Sequence, residues 1–136
     1  MKPRIFVDAN VFLRLFTVDD QGQSERAADL FRRAGAGMIG LFSGPPVLFE
    51  VAGVLRRAYH VPRDKVLGAL AAILAVSGME VVDAELVHLA IERAQATGSE
   101  FADAYIAAAI AAHGCDAVAT FNRRDFKKLG VALAAF

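Results

Sequence analysis

Short apolar runs alternate with longer amphipathic stretches along this chain, and the alternation predicts strands followed by helices. The run at residues 5–7 is apolar throughout, which is typical of a strand buried on both faces of a parallel sheet. In the stretches between the runs, apolar residues recur at helical spacing. The pattern therefore predicts an α/β fold with a mostly parallel sheet. The predicted strands cover residues 5–7, 38–42, 79–82, 116–120 and 131–136.

Polar residues at the predicted ends of the helices support this assignment. Pro45 and Pro46 suit the first turn of a helix, and Asp83 and Ser99 are placed to cap two later helices. After the first strand, either Asp8 or Asn10 could serve as an N-cap.

Asp8 follows the first predicted strand directly, at the sheet edge where open α/β sheets bind ligands. Because a helix is expected to begin beside it, the residue has two interpretations. It is either a helix cap alone or part of a functional site, and its immediate neighbours do not decide between them.

Two further carboxylates are predicted on apolar faces of helices. Glu50 lies three and four residues from Val47 and Val54, so we expect it to share their side of the helix. Asp103 stands in a helix composed almost entirely of Ala and Ile. A carboxylate desolvated in this way needs a cation, a basic partner or a proton, and a structural salt bridge is the plain alternative to a site.

The segment after the fourth predicted strand combines polar groups with a dense basic cluster. Thr120, Asn122 and Asp125 follow that strand end as Asp8 follows the first. The cluster is either a solvated face or a surface that holds a phosphate backbone. Its members are Arg123, Arg124, Lys127 and Lys128.

Composition limits the classes of protein that fit. The chain has 136 residues and 56% hydrophobic content, which predicts one folded domain over residues 1–136 and excludes disorder. Fifteen Lys and Arg balance 15 Asp and Glu, so a nucleic acid must be held by a local patch or by metal ions. Cys115 is the only cysteine, which excludes an internal disulfide, and we expect it to be buried. The sequence shows no signal peptide and no apolar helix long enough for a bilayer, so we expect a soluble cytoplasmic protein.

The candidate site is built from oxygen ligands alone. Four acidic residues have a structural reason to converge: Asp8, Glu50, Asp103 and Asp125. Carboxylates without accompanying histidines or cysteines select hard cations, Mg²⁺ or Mn²⁺. One or two such ions can support phosphodiester cleavage. The chain has no P-loop, no dinucleotide-binding fingerprint and no nucleophile elbow.

Taken in order, these segments resemble a PIN domain, and most closely the toxin ribonucleases of VapBC-type toxin–antitoxin systems. The resemblance covers essentially the whole chain and rests on four segments, residues 5–11, 47–51, 101–104 and 120–126. It implies a three-layer α/β/α fold with a central sheet of four to five strands. It also implies an Mg²⁺- or Mn²⁺-dependent endoribonuclease, a homodimer, and a cognate antitoxin that blocks the site.

The resemblance assigns roles to particular residues. Asp8, Glu50 and Asp103 would bind metal, with Asp125 as the fourth ligand. The supporting polar groups would be Asn10, Thr120 and Asn122. Many members of the family have an aspartate where Asn122 stands, so the last ligand is either Asn122 or Asp125.

Three other functions are compatible with acidic residues at the ends of parallel strands. A phospho-acceptor receiver module would need an acidic pair at the first strand, which is absent, and a well-placed lysine. A haloacid-dehalogenase-like phosphatase would need an aspartate where Asn10 stands. A PIN fold that only binds its partner remains the third alternative, and the intact acidic set argues against it.

Overall fold

The computed structural model describes residues 2–136. The chain divides into two compact units, the first ending at Ala84 and the second beginning at Glu85. The first unit holds β1 (Arg4–Phe6), α1 (Ala9–Phe16), α2 (Gln21–Gly35), β2 (Gly40–Ser43), α3 (Pro45–Arg57), α4 (Arg63–Leu74) and β3 (Met79–Val81). In the second are α5 (Ala84–Thr97, which begins at the boundary), α6 (Phe101–Ala112) and α7 (Arg123–Lys128).

The three strands form a parallel sheet in the order β1–β2–β3. Ile5 lies opposite Leu41 in the first pair, and Phe42 lies opposite Glu80 in the second. This confirms the predicted α/β class with parallel pairing.

The prediction of four to five strands is wrong for the sheet within residues 2–136, which has three. Residues 116–120 and 131–136 contribute only a parallel bridge between Val118 and Leu133. Val118 donates to the Ala132 carbonyl and accepts from the Ala134 amide, both at 2.9 Å. Both segments are rich in alanine, which has low strand propensity and offers little apolar area to bury.

Burial of β1 also differs from the prediction. Phe6 is 62% exposed, whereas Val7, just after the strand, is buried. β1 is the outer strand of this sheet and β2 the middle one, so the expected burial on both faces applies better to β2, where Leu41 and Ser43 are inaccessible.

Helices of the first unit pack through apolar stripes that follow the helical period. Phe12 of α1 is fully buried, and its ring lies 5.7 Å from that of Phe31 on α2. α3 begins with Pro45 in its first turn, as predicted, because proline already has a helical φ and lacks the amide hydrogen that this position cannot use.

The second unit differs from the prediction made from the sequence at two positions. Glu100, rather than Ser99, is the N-cap of α6, and it makes no side-chain capping bond. The Ser99 hydroxyl is buried and accepts a 2.8 Å hydrogen bond from the Thr97 hydroxyl instead. Cys115, expected to be buried, is exposed, because it lies in the turn that leaves α6 after Gly114.

None of the helices in the described range could cross a membrane. The longest, α2, has 15 residues, whereas a span needs about 20.

Candidate functional site

Asp8 stands at the carboxyl end of β1 and caps α1. Its Oδ1 accepts a 2.8 Å hydrogen bond from the Ala9 amide, which confirms capping as one role of this residue. Val7, just before it, donates to the Phe42 carbonyl at 2.7 Å and accepts from the buried Ser43 hydroxyl at 3.1 Å. The backbone that presents Asp8 is therefore anchored to β2, while the Asp8 side chain is exposed.

Asn10, in the first turn of α1, is exposed and lines a groove of about 800 Å³ between α1 and α2. The groove has mixed charge. Arg14 donates from Nε to Gln23 Oε1 at 2.6 Å, and Arg33 pairs with Asp29 at 3.4 Å.

Glu50 is exposed, so the prediction that it shares the apolar side of α3 is wrong. The residues of α3 that are buried include Val47, Leu48, Val51 and Leu55. Successive helical residues are rotated by about 100°, so Val47 lies at one edge of that stripe and Glu50 lies about 60° beyond it.

Asp103 lies in the first turn of α6 and is half-buried, in agreement with its predicted desolvation. Burial raises the pKa of its carboxyl, and the charges of Asp125 and Glu100 raise it further. A salt bridge would lower the pKa of an aspartate, so the direction of this shift argues against a structural ion pair.

Asp125 lies in the first turn of α7, close enough to Asp103 to raise its pKa, and the Asn122 side chain holds Asp125 in place. The Asn122 side chain donates from Nδ2 to Asp125 Oδ2 at 2.9 Å. The Asn122 amide donates in turn to the Thr120 hydroxyl at 2.9 Å. Thr120, Asn122 and Asp125 therefore form one connected polar turn.

The basic cluster lies on and around α7. Arg123, Arg124 and Lys127 are exposed. Lys128 is also exposed, but its Nζ donates to the Gly98 carbonyl at 2.8 Å, which ties this side chain back to the protein surface.

Of the four predicted ligands, Asp103 and Asp125 come within electrostatic range of each other in the second unit. Asp8 and Glu50 belong to the first unit. Among residues 2–136, no group of three or more His, Cys, Asp or Glu side chains is arranged to hold a metal ion. The four-ligand set therefore stays a prediction.

The sequence predicted Asn122 as a supporting group but gave Glu100 no role at the site, and local spacing bears on both residues. Glu100 lies three residues before Asp103, and residues at this spacing are neighbours at the start of a helix. Asn122 lies three residues before Asp125, the spacing of a side chain that bonds into a first helical turn.

Comparison with known proteins gives a family for the chain. The model of the PIN domain matches residues 5–132. Among solved structures, the chain is similar to VapC20 of Mycobacterium tuberculosis, described as a toxin that cleaves the sarcin–ricin loop. The match has 25% identity and a TM-score of 0.40, and it covers 96% of this chain and 98% of that one. No curated protein matched.

Because the family model spans nearly the whole sequence, the chain belongs to the PIN-domain family. This confirms the family predicted from the sequence.

Proposed function

We propose that this protein is an Mg²⁺-dependent endoribonuclease that hydrolyses RNA phosphodiester bonds. The observation that carries the proposal is the placement of Asp103, which is half-buried in the first turn of α6 with Asp125 near enough for its charge to raise the pKa of Asp103. Membership of the PIN family supports the assignment to nucleases.

The donor chemistry fits a hard dication. The charge of Asp125 raises the cost of ionising Asp103, which creates a demand for positive charge, and no sulfur or imidazole ligand is among the candidates. The family resemblance assigns Asp8, Glu50, Asp103 and Asp125 as the ligands of such an ion. When bound, Mg²⁺ or Mn²⁺ supplies Lewis acidity that makes water a nucleophile at neutral pH.

The side chains around these carboxylates would orient them. The bond from Asn122 to Asp125 leaves Asp125 Oδ1 as the oxygen available to an ion, so we assign Asp125 as the fourth ligand and Asn122 as its positioning residue. Thr120 holds the Asn122 backbone, and Asn10 would present its amide beside Asp8.

The basic residues would position the RNA backbone. Arg123 and Arg124 are suited to phosphate because a guanidinium donates two parallel hydrogen bonds to its oxygens. Lys127 and Lys128 would add charge around the same helix.

We further propose that the protein acts in the cytoplasm as the toxin of a toxin–antitoxin pair, as a homodimer with a cognate antitoxin. This part of the proposal rests on the likeness of the four sequence segments to VapBC toxins. A short neighbouring gene for a small DNA-binding protein would support it.

The test is cleavage of a panel of transfer, ribosomal and messenger RNAs by the purified protein. We expect cleavage with Mg²⁺ or Mn²⁺. Asp8→Asn and Asp103→Asn should lower the rate by at least 10- to 100-fold, the effect typical of a disturbed metal site.

Asp64→Asn is the matched control, because Asp64 is an exposed aspartate in the first turn of a helix outside the candidate site. It should cleave at the wild-type rate. Cleavage that persists in excess EDTA would refute the metal mechanism. Metal binding without cleavage of any RNA would identify the protein as a binding module.

A further inference from the structure

Two phenylalanine rings stand in solvent beside the Thr120–Asn122 turn. Phe121 is 93% exposed and Phe136 is 75% exposed, the two highest values for phenylalanine among residues 2–136. Their ring centroids lie 5.2 Å apart with an interplanar angle of 49°. The contact supports Phe121 on one side and leaves most of its surface open.

The backbone holds Phe121 outward. The hydrogen bond from the Asn122 amide to the Thr120 hydroxyl spans Phe121, and Asn122 is joined in turn to Asp125. Phe121 is therefore the tip of a constrained turn, so little conformational freedom is lost when a ligand packs against its ring.

The surrounding charge indicates the chemistry of that ligand. Arg123 and Arg124 follow Phe121 by two and three residues, and both are exposed, as is Lys127 one turn later. An exposed aromatic ring next to exposed cations is the arrangement that binds single-stranded nucleic acid, with a base on the ring and phosphates on the cations. A purely apolar partner would leave these cations without counter-charges.

We propose that Phe121 is a stacking platform for an unpaired base of single-stranded RNA, with Phe136 supporting its ring. The proposal deepens the proposed function and rests on it for the identity of the substrate. Asp125 lies four residues from Phe121, so a base stacked there would bring the neighbouring phosphates towards the candidate ligand. Stacking is tolerant of sequence, because every base has a π face.

The test measures binding of a single-stranded oligoribonucleotide that contains 2-aminopurine, in EDTA to prevent cleavage. Stacking should quench the fluorescence of the 2-aminopurine when the wild-type protein binds. Phe121→Ala and Phe121→Leu should both bind roughly 5- to 150-fold more weakly, with the quenching lost. Phe121→Tyr should retain binding and quenching, because it keeps the aromatic face.

Phe16→Ala is the matched control, since Phe16 is a partly exposed phenylalanine at the end of α1. It should bind RNA with wild-type affinity and quenching. Thermal unfolding of each variant identifies any loss of binding that comes from misfolding, and Phe121→Leu keeps the test valid if Phe121→Ala is unstable.

Wild-type binding and quenching by Phe121→Leu would overturn the proposal. A change of oligomeric state in Phe121→Ala with unchanged RNA affinity would also overturn it, by identifying the ring as a protein contact. If Phe121→Ala loses binding while the wild-type protein never cleaves RNA, the platform stands and the proposed nuclease activity fails. If the wild-type protein cleaves RNA and Phe121→Ala binds RNA normally, the proposed nuclease activity stands and the stacking platform fails.

Discussion

Asp103 carries its negative charge at a cost, because burial and the neighbouring carboxylates of Asp125 and Glu100 raise its pKa. Above its ordinary pKa of 3.8, the folded protein retains a proton that the unfolded chain has released. The free energy of unfolding therefore falls as the pH rises from 3.8 through the folded-state pKa. A residue that weakens the fold at neutral pH is the kind expected where charge is needed for binding.

We predict that Asp103→Asn is more stable than the wild-type protein at pH 7 when no metal is present. The asparagine carries no charge and so removes the penalty, and the difference should disappear below pH 3.8. Urea unfolding at several pH values in EDTA measures it. Asp116→Asn, at an exposed aspartate of the same unit, is the control.

The same experiment with added Mg²⁺ connects this stability to the proposed function. The wild-type protein should gain about 2.7 kcal/mol at a metal concentration 100 times Kd, and Asp103→Asn should gain much less. Equal stabilisation of both proteins would show that Asp103 is not a ligand.

The hydrogen bond from Asn122 to Asp125 offers a second test at the level of single residues. The Asn122 side chain donates to Asp125 from an exposed position, so Asn122→Ala should lower stability by only about 0.5–1 kcal/mol. Cleavage should fall by roughly 10- to 100-fold, because the orientation of Asp125 is lost. Steady-state kinetics and urea unfolding on one preparation separate the two effects. A rate unchanged by Asn122→Ala would remove the positioning role.

At the scale of elements, the turn between α4 and β3 depends on a glycine. Gly78 has φ +82°, and a Cβ at this position would lie 2.7 Å from the Ala34 carbonyl oxygen. Any side chain at Gly78 would clash with the backbone of Ala34. It would also be strained, because residues with a Cβ rarely adopt this left-handed φ. Met79, the next residue, begins β3 opposite Leu41 of β2. A displacement of the turn at Gly78 would therefore disturb the pairing of β3 with β2.

We predict opposite effects for two glycine substitutions, one at Gly78 before β3 and one at Gly68 inside α4. Gly78→Ala should destabilise the protein by about 2 kcal/mol or more. Gly68 is exposed in the middle of α4, and a Cβ added there would meet no atom within 4 Å. Gly68→Ala should therefore stabilise the protein by about 0.5–1 kcal/mol. Chemical denaturation of both variants tests the pair. Similar shifts in the same direction would contradict the geometry at Gly78.

α3 shows how an apolar stripe can mislead. Val47, Leu48, Val51 and Leu55 are buried as their spacing predicts, yet Glu50 is exposed. Spacing alone places a residue on a helix face with an uncertainty of about one position. At the border of a stripe that uncertainty decides between burial and exposure.

At the scale of the whole molecule, the chain has no net charge, with 15 basic and 15 acidic residues. Under the proposed function, RNA would be held by local cations. Three exposed cations lie on α7: Arg123, Arg124 and Lys127.

We predict that the affinity for single-stranded RNA falls with salt at a logarithmic slope of about 2, since each contacted phosphate contributes about 0.7. Arg123→Ala should reduce the slope by about 0.7. Arg32→Ala is the matched control, because Arg32 already pairs with Asp29 on α2. Filter binding in EDTA across salt concentrations measures the slopes. A slope that Arg123→Ala leaves unchanged would exclude Arg123 from the RNA contact.

Much of the fold could be predicted because its signals are local. The apolar runs and helical periods predicted β1 to β3 and the helices between them, and Asp8 was one of the two candidates for the cap of α1. Asp103 was recognisable because a carboxylate among alanines and isoleucines is unusual wherever the helix packs. The segments 116–120 and 131–136 were overestimated, since their apolar character comes from small residues that gain little by pairing.

The sequence by itself determined the parallel α/β class, the order of the elements up to α6 and the acidic residues that carry the proposal, because periodicity, caps and residue chemistry act over a few neighbouring positions. Only the tertiary structure decided which groups act on one another. It placed Asp125 where its charge raises the pKa of Asp103, left Glu50 and Cys115 exposed, and set Phe121 against Phe136. These relations join residues far apart in the chain, and packing rather than local preference brings such residues together.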